Sequence, residues 1–111
     1  MQPRISSAQD IWVYSREGYE YYLTTENISV RDSQPPFTCN VKVVYNGKYD
    51  NFEILGFESQ NDILVGYSFW RSHGTWEFVG TVSKNPYLNA VWQAMKPYLK
   101  QQGVTGVDGW H

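Results

Sequence analysis

The chain has 111 residues, a formal charge of −2 and an aromatic fraction of 17%, most of it Tyr and Trp. That length fits one domain with one modest core. The Lys and Arg residues are dispersed singly, and no apolar run approaches the roughly 20 residues that span a bilayer, so we expect neither a nucleic-acid partner nor a transmembrane segment.

The opening segment MQPRISSAQD is polar and has no apolar central region, so it does not predict a signal peptide. Its Gln, Ser and Pro content is typical of a linker. We therefore expect a flexible segment over residues 1–9, a single domain over residues 10–103 and a loose C-terminal tail over residues 104–111.

Short runs of β-branched and aromatic residues, separated by turn residues, predict an antiparallel sheet over most of the chain. The clearest run is 37–45, in which Phe37, Cys39 and Val41 share an apolar face. Asn46-Gly47 after it is a strong hairpin signal, and Pro35-Pro36 before it must interrupt pairing. The predicted strands cover residues 11–14, 19–24, 37–45, 52–59, 63–71 and 76–83, with a short edge segment over 27–31.

The hydrophobic period changes after residue 84, where Asn85-Pro86 places a capping side chain before a proline at the first helical position. Apolar residues then recur at helical spacing as far as Leu99. Pro97 removes a backbone donor, so we expect the helix to run from Pro86 to about Met95 and to resume irregularly to Gln102.

These patterns predict an α+β domain: an antiparallel β-meander of five to seven strands with one C-terminal amphipathic helix packed on one face. Period-two alternation groups the large aromatics of the last two strands on a common face. We therefore expect the helix, through Leu88 and Trp92, to cover a set of core residues. The predicted set is Phe37, Val41, Val43, Tyr67, Phe69, Trp76 and Phe78.

The residues that could carry chemistry are scattered in the sequence. Cys39 lies in the middle of a strand on its apolar face, where a thiol behaves as a small hydrophobe. His73 lies at a predicted loop tip, and the acids fall mostly in turns or at outward strand positions. We therefore predict no catalytic residues, no metal site and no cofactor.

The aromatics and turns follow a distinctive order: Trp12 in the first strand, Tyr21-Tyr22 followed by Asn27-Ile28, Phe37-Thr38-Cys39, Trp76, and Ser83 with Asn85-Pro86 opening the helix. This order resembles that of small secreted bacterial domains typified by surface-adhesin protein E. The resemblance implies a six-stranded, largely antiparallel sheet with a helix on it, a cell-envelope location, and binding to host or matrix proteins. In that family a strand cysteine commonly pairs with one in the helix; here Cys39 has no partner in the sequence.

Tyr and Trp exceed what one sheet and one helix can bury, and these side chains give large contact areas at small entropic cost. We therefore predict a non-enzymatic binding module, secreted or in the cell envelope and adhesin-like, with a protein partner. The candidate contact residues, expected opposite the core residues of their strands, are Trp70, Tyr22, Tyr14 and Trp12. The alternative is an intracellular or accessory domain that homodimerises through the same outward aromatics.

Overall fold

The computed structural model of the chain describes residues 10–30 and 34–111. It contains one six-stranded antiparallel sheet in which each strand pairs with its neighbours in sequence, followed by one long helix. The elements are β1 (Asp10–Arg16), β2 (Tyr19–Val30), β3 (Phe37–Tyr45), β4 (Lys48–Gln60), β5 (Ile63–Trp70), β6 (Thr75–Thr81) and α1 (Pro86–Gln101). The predicted α+β meander is confirmed. The flexible segment predicted over residues 1–9 lies outside the described residues.

Two-residue turns join β1 to β2, β3 to β4 and β4 to β5, and the residues in all three have positive φ. Such turns match the twist of the strands they connect. The segment predicted as a separate edge strand over 27–31 is continuous with β2 as far as Val30; Arg31 lies outside the described residues.

The helix begins as predicted, with the Asn85 side chain accepting a hydrogen bond from the Leu88 backbone N–H at 3.0 Å. It does not stop near Met95 but continues through Pro97 to Gln101. Pro97 and Gln93, whose carbonyl loses its partner, both lie on the exposed side of α1. Water can therefore bond to that carbonyl. The buried Met95 and Leu99 hold the parts of α1 before and after Pro97 against the core, so the helix continues.

The helix packs on the sheet face that carries Leu23, Cys39, Val41, Leu55, Phe57 and Leu64, and with these residues it forms the main core. Trp92 lies at its centre, with ring centroids 5.4 Å from Phe57 and 6.0 Å from Phe37. Cys39 is completely buried, as predicted for a structural thiol, and burial raises its pKa.

The assignment of β5 and β6 aromatics to this core is wrong. In β5 the residues that face α1 are Leu64 and Gly66, and a Cβ at Gly66 would lie 2.8 Å from Leu88 Cδ1. The helix approaches β5 so closely that only a glycine fits beneath Leu88. The large side chains at Tyr67, Phe69, Trp76 and Phe78 therefore lie on the opposite face of the sheet.

The C-terminal segment packs on the core, whereas the sequence predicts a loose tail over 104–111. Val107 is buried, and Trp110 stacks on Trp92 with ring centroids 5.9 Å apart. The His111 carbonyl accepts a hydrogen bond from the Leu64 N–H at 3.2 Å, so the end of the chain pairs with β5 beyond the end of β6. The ordered domain thus extends to the last residue.

Candidate functional site

The sheet face opposite α1, here called the helix-free face, carries the alternate side chains of β1 to β6 that do not enter the main core. In β3 these are Thr38, Asn40 and Lys42, because Cys39 and Val41 point into the core. In β5 and β6 they are the aromatic pairs Tyr67–Phe78 and Phe69–Trp76. In β1 and β2 they include Trp12 and Tyr22, which lie opposite each other.

A groove of about 610 Å³ crosses the helix-free face from β2 to β6, and we call it the transverse groove. One wall is formed by residues 26–29 of β2 and the other by Phe69 and Trp76. Its floor is formed by Thr38, Asn40 and Ile54.

The β2 wall exists because β2 bulges away from β3. Thr24 pairs with Asn40 and Ser29 pairs with Thr38, so residues 25–28 have only Cys39 opposite them and must arch out of the ladder. The Thr24 hydroxyl oxygen lies 3.1 Å from both Asn27 Oδ1 and the Asn40 carbonyl oxygen, so either of them can accept its single proton. The arch is further tied to the end of α1.

That tie comes from Gln102, whose Nε2 donates to the Ile28 carbonyl at 3.0 Å. The Ile28 side chain is itself buried in the main core. The bulge is therefore anchored by an apolar side chain and by hydrogen bonds at both ends, which gives the groove a fixed wall.

The aromatic wall is held by packing. The rings of Phe69 and Trp76 have centroids 5.1 Å apart. Trp76 and Pro35 both reach over Gly56, where a Cβ would lie 3.0 Å from Trp76 Cζ3 and 2.4 Å from Pro35 Cδ. The absence of a side chain at Gly56 lets these two rings settle on the sheet, so the position of Trp76 depends on a glycine elsewhere in the sheet.

The polar groups of the groove are only partly used within the protein. The Thr38 and Ser29 hydroxyls share a hydrogen bond of 2.6 Å. Among the described residues, the Glu26 carboxylate and the Asn40 side-chain amide have no hydrogen-bond or ion-pair partner. Both groups line the groove, so both can bond to a ligand.

The charges around the groove are negative or already engaged. Glu26 is the one charged residue in its lining, as far as the structure describes the chain. Lys42 forms an ion pair with Asp10 and lies 5.4 Å from the centre of the Tyr22 ring. The Arg71 guanidinium lies 4.1 Å from the centre of the Phe52 ring and donates to the Phe52 carbonyl at 3.2 Å. A ligand in the groove therefore meets a carboxylate and neutral dipoles.

The candidate contact residues predicted from the sequence do not form one cluster. Trp12 is 53% exposed on the helix-free face, with its Nε1 donating to Glu20 Oε1 at 2.5 Å. Tyr22 lies opposite Trp12 on the same face and is half-buried. These two residues have the outward facing that we expected.

The facing expected for Tyr14 and Trp70 is wrong. A register shift between Trp12 and Tyr14 turns Tyr14 toward the helix, where its ring lies 5.5 Å from that of Tyr87. Trp70 is on the same face of β5 as Gly66, yet it lies past the helix and is 48% exposed. Its ring centroid is 3.7 Å from that of His73, which is exposed in the β5–β6 loop as predicted.

Outside the groove, two tyrosines donate hydrogen bonds to glutamates, and both tyrosines have a raised pKa. Tyr87 donates to Glu53 at 2.6 Å, and burial together with the nearby carboxylate raises the Tyr87 pKa. Tyr67 donates to Glu58 at 2.7 Å, and burial with this hydrogen bond raises the Tyr67 pKa to about 12. Each tyrosine is held in its neutral form, which suits a structural hydrogen bond.

Within residues 10–30 and 34–111, no three His, Cys, Asp or Glu side chains come together in a way that could hold a metal ion. In the same part of the chain, no helix is both long and apolar enough to cross a membrane.

The fold and the groove define a single-sheet α+β domain with one covered face and one open, aromatic face. No family model, curated protein or solved structure matches the chain.

Proposed function

We propose that this domain is a non-enzymatic binding module that acts through the helix-free face of its sheet. The observation that carries the proposal is the transverse groove, with its anchored polar wall facing an aromatic wall. A cell-envelope or secreted location and an adhesin-like role belong to the same proposal, and they rest on the resemblance to small secreted bacterial domains.

The exposure of apolar side chains on this face supports the proposal. Phe78 is 60% exposed, and its ring centroid lies 5.7 Å from that of Tyr67, beside the Phe69–Trp76 pair. Trp12, which is 53% exposed, lies at the opposite edge of the same face. Neighbouring exposed aromatics are typical of interaction sites, since water contact with such groups is unfavourable. Binding a partner would remove this surface from water.

The distribution of acids supports binding without chemistry. Catalytic nucleophiles and general acids or bases are commonly activated by a second polar or charged group within hydrogen-bond reach. Glu26 has no second titratable residue beside it in the lining of the groove, within the described residues. The Glu53 and Glu58 carboxylates are each engaged by a tyrosine.

Site-specific photo-crosslinking tests which face of the domain contacts a partner. It is carried out in the cells that express the protein and in extracts of extracellular matrix. A benzoylphenylalanine at Phe78 probes the helix-free face, and one at the exposed helix position Gln93 is the matched control. We expect discrete adducts from position 78 and none from position 93. Equal labelling from both positions, or no adduct from position 78, contradicts the proposal.

The alternative is a homodimer sealed by the same aromatics, and the edge strand β6 favours it. Among the described residues β6 pairs only with β5, and it carries the exposed Phe78 and Val79 with Glu77 as its one charged residue. An edge with so little charge is a template for pairing with another strand. Light scattering combined with sedimentation distinguishes the two: a stable dimer that protects Phe78 supports the alternative, and a monomer supports the binding module.

A further inference from the structure

We infer that the ligand of the transverse groove is a neutral oligosaccharide. This inference rests on the proposed function, because it names the chemistry that the helix-free face would recognise. It follows from three properties of the groove: its polar wall, its aromatic wall and its charge.

The polar wall and floor offer acceptors and donors that suit hydroxyl groups. The Glu26 carboxylate can accept from two hydroxyls, and the Asn40 amide can both donate and accept. Neither group has a partner among the described residues, so a ligand need not displace an internal bond. Side chains that donate and accept at close range match the vicinal hydroxyls of a sugar ring.

The opposite wall matches the other surface of a sugar. The C–H groups of a pyranose form an apolar patch that packs on aromatic rings. Trp76 and Phe69 present such rings with centroids 5.1 Å apart, and Ile54 adds an apolar floor between the two walls. A ligand that is apolar on one surface and hydroxylated along its edge therefore fits both walls at once.

The charge of the groove selects against acidic ligands. Its lining has a carboxylate and, among the described residues, no Lys, Arg or His. A phosphate, sulfate or uronic acid group would lie beside Glu26 with no compensating cation from the described lining. The volume of about 610 Å³ is within the usual range for small-ligand sites and accommodates a short segment of a chain of sugar rings.

An extended peptide is the main competing ligand, and the backbone argues against it. Peptides that bind sheets gain affinity chiefly by pairing with an exposed strand edge. The floor residues Thr38, Asn40 and Ile54 lie in β3 and β4, whose backbone is paired on both sides. The floor of the groove thus offers a ligand side chains and no unpaired strand. Open backbone lies only at its two walls, in the β2 bulge and along the edge strand β6, as far as the structure describes the chain.

The test is calorimetric titration of the whole chain with neutral hexasaccharides of the cello-, chito-, laminari-, malto- and mannan series. A heparin hexasaccharide serves as the anionic comparison, and an uncharged pool of extended hexapeptides serves as the peptide comparison. We expect at least one neutral hexasaccharide to bind with a Kd of about 1 mM or tighter. We expect no binding of the heparin fragment.

Variants tie the binding to the groove. Trp76→Ala should weaken the affinity at least about tenfold, and Trp70→Ala, which removes an equally large side chain outside the groove, should leave it unchanged. Because Trp76 also packs on Phe69, Glu26→Ala is the second variant: Glu26 is exposed and unpartnered among the described residues, so the fold should tolerate the change while affinity falls.

The outcomes separate this inference from the proposed function. Failure of all five neutral hexasaccharides at about 1 mM, preferential binding of the hexapeptides, or equal losses in Trp76→Ala and Trp70→Ala would overturn the oligosaccharide inference. If crosslinking at position 78 still yields adducts in those cases, the binding face stands and only its ligand class is wrong. If neither assay responds, both proposals are wrong.

Discussion

Gly66→Ala tests the assignment of the two sheet faces, on which the location of the groove depends. The new Cβ would lie 2.8 Å from Leu88 Cδ1 and 3.0 Å from Leu88 Cδ2. Carbon atoms in contact prefer about 3.5–4.0 Å, so Leu88 must move by several tenths of an ångström within a packed core. Such overpacking costs about 1–3 kcal/mol, against which the smaller backbone entropy of the unfolded alanine chain stabilises by about 0.4–1 kcal/mol.

We therefore expect Gly66→Ala to lower the free energy of unfolding by about 1.3 kcal/mol, the difference between the midpoints of these opposing ranges, and by at most about 2.6 kcal/mol. The measurement is urea unfolding followed by tryptophan fluorescence and far-ultraviolet circular dichroism. If Gly66 instead faced solvent and Tyr67 faced the helix, the same substitution would stabilise the protein. A rise in the free energy of unfolding would thus refute the face assignment.

A double-mutant cycle with Leu88 provides the control. Leu88→Ala alone should cost about 2–5 kcal/mol, because Leu88 is fully buried. The double variant should be less destabilised than the sum of the single changes, since the shortened side chain at position 88 leaves room for the Cβ added at position 66. Additive effects would show that the two positions do not touch.

Three further predictions concern the helix and the tyrosines. Trp92→Ala should lower the free energy of unfolding by about 3–5 kcal/mol. Trp92→Phe should lower it by less, because the indole N–H has no acceptor among the described residues and its loss removes no hydrogen bond. Urea unfolding of both variants checks this, and equal losses would contradict it. Pro97→Ala should raise the thermal midpoint, since it restores the donor to the exposed Gln93 carbonyl; an unchanged or lower midpoint would show that the proline is accommodated at no cost. Folding raises the Tyr67 pKa from 10.0 to about 12, so the contribution of Tyr67 to stability is complete below pH 10 and is lost as the pH rises through about 12. In an absorbance titration at high pH, Tyr67→Phe should therefore lack a step near pH 12. An unaltered titration curve would contradict the assignment of this pKa to Tyr67.

The strands and the helix start could be predicted because their signals are local. The apolar alternation of 37–45 and the Asn-Gly turn after it give β3 with the bounds that the structure has. Asn85-Pro86 marks the helix start, and the structure has the capping bond there. These features depend on residues a few positions apart, which one sequence displays directly.

The facing of β5 could not be predicted in the same way, since both of its faces carry apolar residues. Alternation favours the face with the larger side chains, which is Tyr67 and Phe69. In the structure the other face of β5 packs on the helix, because Gly66 leaves room for Leu88 of α1 to approach the strand closely. A glycine within a strand is the signal that could have reversed the interpretation.

The C-terminal segment carries a sequence signal of its packing. Val104, Val107 and Trp110 recur every third residue, the spacing at which a 3₁₀ turn aligns its side chains. The structure has such a turn at Val107–Gly109, with Val107 buried and Trp110 against the core.

The transverse groove lay beyond sequence reasoning for a different reason. Its polar wall depends on a bulge that pushes residues 25–28 out of the β2–β3 ladder, and its aromatic wall depends on Gly56 beneath Trp76. The bulge and the packing over Gly56 both depend on which residues of neighbouring strands lie opposite each other. A single sequence does not display that pairing. Alternation alone places Trp12 and Tyr22 on the helix-free face, but the same alternation predicts Trp76 in the core, so the pattern does not mark Trp76 as a contact residue.

The most direct test of the central claim, that the groove of the helix-free face binds a neutral oligosaccharide, is nuclear magnetic resonance of the tryptophan indole N–H groups. The five tryptophans sample different places: Trp76 in the groove, Trp12 elsewhere on the same face, Trp70 past the helix, and Trp92 and Trp110 in the core. On addition of the neutral hexasaccharides, we predict that the Trp76 signal shifts in a saturable way while those of Trp70, Trp92 and Trp110 stay in place. A saturable shift confined to Trp70, or no shift at Trp76 with any of the five sugars, would contradict the claim.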